Sequence, residues 1–361
     1  MPDLTTTPSV PPTSPGLGGR LPRPRSLDFA LFVAANLWYL CAQALSASAA
    51  SALGMNYDLG DWGPLIEAAL LLLLLLCGLA LLRRIECRLA PLRVTLGLPR
   101  RATSRTEWAT GAAIGWGLGV AAVLPMALAR TLNTQLWMAP RAFQLLGLGL
   151  LTLAMTTLAH ALAIYGYGLQ RLIDAAGPVR ATLMVVVLTA IHAAYLATPY
   201  GTPYGTRMMV AMLMALLLAL CWLRSHGLWL VWGLSFAWAA STGVLFGLPL
   251  NGEIGYGSIV DTRAAGPAWL TGGDYGPAAA LFTIFCFLAA IPILVRATSD
   301  YAWKYTHPPL IPGGYDVTIA PPAAHVAMEQ AAESAQAVDP ASLVQIQPSA
   351  AQGPPAGTAS E

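Results

Sequence analysis

His192 sits in the run LMVVVLTAIHAAYLA (183–197), which is almost wholly apolar. An ionisable side chain is expensive in such surroundings and by default marks a functional site. Two further polar residues share its depth. His160 lies 11 positions from Arg171, His192 lies 12 from Arg180, and Ser235 lies 11 from Arg224. At the helical rise, each stands about 16–18 Å from an arginine read as headgroup level. That is near the middle of a hydrocarbon core about 30 Å thick. Three such groups converging from three helices could do only limited chemistry. A histidine is the one general base available. Two imidazoles and a hydroxyl make a weak metal set, one strong ligand short of a catalytic zinc. A Ser235–His192 nucleophile pair has no nameable oxyanion hole, and its serine is mid-helix.

The elements that would hold these residues are membrane helices. The chain of 361 residues is 56% hydrophobic and only 10% charged, too little charge to cover a soluble domain of this length. A spanning helix needs about 20 predominantly apolar residues. Eight stretches qualify: 28–49, 63–82, 108–129, 142–165, 181–198, 207–223, 227–247 and 276–295. The fold class expected is therefore an all-α polytopic membrane protein of about eight helices. With eight spans, fifteen of the nineteen Lys and Arg fall on the side of both tails, which the positive-inside rule makes cytoplasmic. Arg130, Arg141, Arg207 and Arg263 fall on the other side. No basic stripe points to nucleic acid. The single Lys against eighteen Arg fits a GC-rich bacterial genome, so a bacterial inner membrane is expected.

Three regions divide the chain. Residues 1–26 and 297–361 are Pro-, Ser- and Ala-rich and read as disordered cytoplasmic tails around a transmembrane domain, 27–296. The first span is read as retained; its apolar run starts only at Phe29, although LSASAASA (45–52) has cleavable-looking small residues. The basic stretch Arg84–Arg105 reads as an amphipathic surface segment or a solvated loop. Outer loop 248–275 reads as re-entrant or lid-like, because GLPLNG (247–252) is too apolar for a free loop. Glu67 is expected to snorkel to the interface, and Trp229, Trp232 and Trp238 to pack and anchor. Cys41, Cys77, Cys221 and Cys286 read as buried apolar thiols, with Cys87 in a loop and no C-x-x-C.

Segment 156–252 resembles the CAAX prenyl protease and bacteriocin-processing (Abi) family of intramembrane endopeptidases. That family carries Glu-Glu-x-x-x-Arg, Phe-x-x-x-His and His-x-x-x-Asn/Asp motifs on neighbouring helices. LAHALAIYGYGLQRLIDAAGPVRATL (158–183) resembles the first motif, LTAIH (188–192) the second, and GLWLVWGLSFAWAASTGVLFGLPLNG (227–252) the third. The resemblance implies a CAAX-protease-like core over about 142–252. It also implies site positions whose residues have mostly changed. The paired glutamates fall on His160 and Ala161, the arginine on Tyr165, and the second-motif aromatic on Leu188. His192 keeps its histidine, while the third-motif histidine and asparagine fall on Ser235 and Ala239.

The family's chemistry uses a carboxylate to activate water, and here that carboxylate is missing. The sequence thus reads as a non-catalytic pseudoprotease that binds a membrane protein partner or a prenylated, hydrophobic peptide in the bilayer. No cofactor is expected, although an active enzyme would use a divalent metal. The alternative is an active intramembrane endopeptidase with a diverged site. A small-molecule transporter would call for internal repeats, and none is visible.

Overall fold

The structure is a computed structural model that describes residues 24–86, 91–195, 204–252, 259–298 and five positions between 327 and 334. The chain divides into two units, Met1–His307 and Pro308–Glu361. The expected disordered tails, and Cys87, lie largely or wholly outside the described residues; the described positions of the second unit are helical.

The first unit is a bundle of apolar helices. Helix α1 (Arg25–Asn56) pairs with α2 (Gly63–Ile85), which opens on Pro64 in its first turn, where a missing N–H costs nothing. A single turn, α3 (Leu92–Thr95), leads to α4 (Ser104–Leu128). Helix α5 (Pro140–His160) continues through a π-helical segment, Ala161–Gly168, into α6 (Leu169–Ala176). Gly177, at φ 85°, breaks that rod, and Pro178 starts α7 (Pro178–Tyr195). Helix α8 (Tyr204–Ser225) follows, then α9 (Leu228–Ala239) with a second π-helical segment, Ala240–Leu245. After the short α10 (Ala268–Thr271), α11 (Leu281–Ala297) closes the unit.

Six of these rods are long and apolar enough to cross a membrane, and the two shorter apolar helices are α7 and α11. Leu73, Leu81, Leu183 and Ile293 are all more than half exposed on the outside of the bundle. In water that much apolar surface would drive aggregation, whereas lipid tails cover it without cost. The architecture is that of an α-helical multi-pass membrane protein. Hydroxyls inside the rods are satisfied locally, as a bilayer requires. Thr157, Thr182, Thr189, Ser225 and Thr242 each donate to a carbonyl one turn back.

The unit is helical, as expected, while some details differ from expectation. β1 (Leu132–Leu136) pairs antiparallel with β2 (Val260–Ala264), Leu132 opposite Ala264. Within loop 248–275, the described residues from 259 on are therefore drawn against the α4–α5 connection. Gly247 lets the chain turn, since at φ 62° a Cβ would lie 2.0 Å from the Val260 carbonyl oxygen. The stretch after α2 is neither free nor simply laid on a surface. Thr95 and Leu96 are buried, and the Gly97 carbonyl accepts from the Leu228 N–H at the start of α9 (2.8 Å). Cys41 and Cys77 are exposed on the outside of the bundle; among the described cysteines, Cys221 and Cys286 are buried. Arg207, expected at the start of a span, is buried there on α8, where it donates to the Ala193 carbonyl and stacks on Tyr275.

The tightest packing is between α4 and α9. Gly111, Gly115 and Gly119 recur every four residues along one face of α4. A Cβ on Gly111 would lie 2.3 Å from the Leu230 carbonyl oxygen, and one on Gly115 2.2 Å from that of Leu234. Gly233 answers from α9, 2.2 Å from the Trp108 carbonyl oxygen. Small residues at this spacing let backbones touch, which is how membrane helices gain packing without a hydrophobic driving force. Gly117, on the opposite face, has nothing within 4 Å. The same substitution should therefore act in opposite directions at neighbouring sites. Gly115→Ala should destabilise by about 1–3 kcal/mol through overpacking against backbone. Gly117→Ala should be neutral or gain up to about 1 kcal/mol of helix propensity. Thermal unfolding of the two variants in detergent checks this, and equal shifts would contradict the seam.

Candidate functional site

The sequence-derived site positions lie at the end of α5 (His160), in the first π-helical segment (Ala161 and Tyr165), on α7 (Leu188 and His192) and on α9 (Ser235 and Ala239). Widening a helix to π geometry inserts a residue into the turn and recurs at functional sites. Here one such segment starts directly after His160 and contains Ala161 and Tyr165; the other starts directly after Ala239. Both regions are closed by packing. Ala161, Tyr165 and Ala239 are buried. His160 lies between two tyrosines, its ring 6.2 Å from that of Tyr39 on α1 and 6.0 Å from that of Tyr165, both edge-on. The Tyr39 hydroxyl accepts from Gln43.

His192 is on α7 and is exposed. Leu188, at the position of the family's aromatic, is exposed one turn earlier. Ser235 is buried, and its hydroxyl donates within α9, to Val231 (3.0 Å) and Trp232 (3.2 Å). No hydrogen bond joins His160, His192 and Ser235 to one another. The expected convergence on one interior cavity is not seen: His160 lies between tyrosines, Ser235 is bonded within its own helix, and His192 is exposed. A divalent metal of the kind the resemblance implies does not fit this set. Two imidazoles have no third strong donor beside them, and among the described residues no group of three His, Cys, Asp or Glu could hold an ion.

The charged centre of this region is one that hydropathy could not rank. Arg171, read from sequence as a headgroup-level marker, is completely buried on α6. Its Nε lies 2.8 Å from Glu86 Oε1 and its Nη2 donates to Oε2 (3.0 Å), a two-pronged pair with both side chains sealed from solvent. The Tyr167 hydroxyl donates to the same carboxylate, and the guanidinium carbon stacks 4.9 Å over the Tyr167 ring. Asp174, one turn on, completes the set at 3.4 Å. A usable signal was present: Tyr167 and Arg171 are four apart on one helical face, and Glu86 is the only acid between Arg83 and Arg105.

What this arrangement supplies is position rather than chemistry. It ties the end of α2 to the rod that carries the first π segment. Comparison with family models, curated proteins and solved structures finds no match. The site must therefore be judged on its own geometry.

Removing one partner of a buried pair strands the other charge, at a cost of about 3–5 kcal/mol. Glu86→Ala should lower the unfolding temperature far more than Tyr167→Phe, which removes one hydrogen bond worth about 1–3 kcal/mol. A Glu86→Ala protein as stable as the wild type would show that the pair is not structural.

Proposed function

We propose that the protein is a non-catalytic, CAAX-protease-like membrane protein of eight spans with both tails cytoplasmic. In this reading it takes a hydrophobic partner, a membrane segment or a lipid-modified peptide, within the bilayer. The supporting observation is the state of the motif-equivalent positions. The π-helical irregularities sit where the family's polar residues would be. The side chains present are an imidazole between tyrosines, two buried alanines and a serine bonded to its own helix. None is a carboxylate that could activate water, and members of a catalytic unit do not degrade additively when several are lost.

A place for an apolar partner is available on the outside of the bundle. A shallow cleft of 470 Å³ between α1 and α2 is lined by Leu37, Trp38, Cys41, Cys77 and Leu81, among others, and is almost entirely apolar. Trp38 forms its floor, lying over Gly78 and donating to the Leu74 carbonyl. The second reading is an active endopeptidase with a diverged site, with His160 and His192 as its candidate bases.

Cleavage of a farnesylated CAAX peptide by the full chain in liposomes separates the two. The expected result is no product above background, unchanged in His192→Ala. Product that disappears in His192→Ala would establish the second reading instead. Reporter fusions at residues 95 and 310 should both report cytoplasm and one at 260 the opposite side; an external signal at 310 would overturn the eight-span topology.

A further inference from the structure

A second cleft, of 590 Å³, opens where α4 and α9 begin, and its character is opposite to the first. It is lined by Arg100, Arg101, Ser104, Arg105 and three tryptophans, Trp108, Trp229 and Trp232. The polar residues belong to the stretch leading into α4 and its first turn; Trp229 sits in the first turn of α9, and Trp108 and Trp232 lie about one turn into α4 and α9. The cleft thus grades from positive charge to aromatic surface, and beyond Trp108 lies the Phe236 ring at 6.1 Å.

The arginines differ in how far they are already engaged. Arg101 is used structurally, donating to the Ser225 and His226 carbonyls (2.7 and 3.2 Å) and facing the buried Glu107 at 4.0 Å. Arg100 and Arg105 are exposed and have no partner among the described residues. Glu107 is turned inward, where it accepts from the Thr103 hydroxyl (2.7 Å), so it does not cancel them. Among the indoles, Trp229 and Trp232 donate to the Pro99 and Ala154 carbonyls. The Trp108 Nε1–H is buried and has no acceptor among the described residues. Neither helix start has a side-chain cap, so both leave the positive ends of their dipoles toward this region. His226 adds no charge at neutral pH; burial, and then the neighbouring Arg101, hold its imidazole below its ordinary pKa.

We infer that this cleft is a binding site for the headgroup of an anionic phospholipid. Two free guanidiniums match a phosphodiester by paired hydrogen bonds, and the lone indole N–H supplies a donor at the border with the acyl region. The graded lining selects a lipid over a free anion, because only a lipid has an apolar part to lay along Trp108 and Trp232. Arginine and tryptophan together at helix ends are what an interfacial headgroup site requires.

The test uses the full chain in neutral detergent, titrated with dioleoyl-phosphatidylglycerol while thermal unfolding is followed. A saturable rise in unfolding temperature is expected, with none from dioleoyl-phosphatidylcholine or inorganic phosphate. In Arg100→Gln/Arg105→Gln, loss of two basic contacts should raise the half-saturating lipid about thirty-fold. Both residues are exposed, so the variant should keep its lipid-free unfolding temperature. Trp108→Phe, which keeps an aromatic ring and removes the N–H, should weaken the response several-fold. Phosphatidylcholine matching phosphatidylglycerol, phosphate alone giving the shift, or a wild-type response in the double variant would each overturn the assignment.

Discussion

Backbone contact between α4 and α9 is the constraint on which the rest of the bundle depends. Helices in lipid gain nothing from burying apolar side chains against one another, so association rests on how closely their surfaces fit. Gly111, Gly115 and Gly119 bring α4 onto the carbonyls of Leu230 and Leu234 and onto the Ser241 hydroxyl in the second π segment. The register of α9 against α4 is tightly fixed at Gly111, Gly115 and Gly233, because there the obstacles are main chain and cannot rotate away. That register sets where Ser235, Ala239 and the π segment stand.

The remaining ties work outward from this seam. The Gly97 and Pro99 carbonyls and the Arg101 guanidinium clamp the turn between α8 and α9, so the polar stretch after α2 becomes part of the core. Glu86 and Arg171 then lock that stretch to α6. Gly166 lies against the Leu96 carbonyl, with room for no Cβ. One linked set of contacts therefore runs from α4 through α9 to the first π segment. The buried ion pair contributes specificity of placement more than net stability, since desolvation offsets most of the Coulomb attraction. Two clefts remain open around this closed centre, one apolar and one cationic. Both suit binding, and neither brings together a nucleophile, a base and a charge-stabilising donor.

Hydropathy carried most of the fold, because in a membrane protein apolar length alone marks a helix. The positions of all eight apolar helices were legible in this way. Other features were not. The π-helical segments have no compositional signature: ALAIYGYG and ASTGVL read as ordinary helix. Strand β2 was hidden in a loop whose partner strand lies far away in sequence. Arg171 was misread because an arginine near a helix end is normally at the interface, and its partner Glu86 is 85 residues away. The glycine spacing on α4 was plainly visible and is the one strong packing signal that the site-directed reading passed over. For the candidate site, the sequence showed which polar groups share a depth. It could not show that Ser235 would bond its own helix, or that His160 would be held between tyrosines.

The central claim is that the motif-equivalent positions lack the ligands to hold a catalytic metal: His160 lies between two tyrosines, His192 is exposed, and among the described residues no group of three His, Cys, Asp or Glu could hold an ion. Zinc content of the purified full chain, after equilibration with zinc and removal of excess, tests this most directly. The account predicts far less than one zinc per chain, unchanged in a His160→Ala/His192→Ala variant. One zinc per chain in the wild type, lost in that variant, would contradict it.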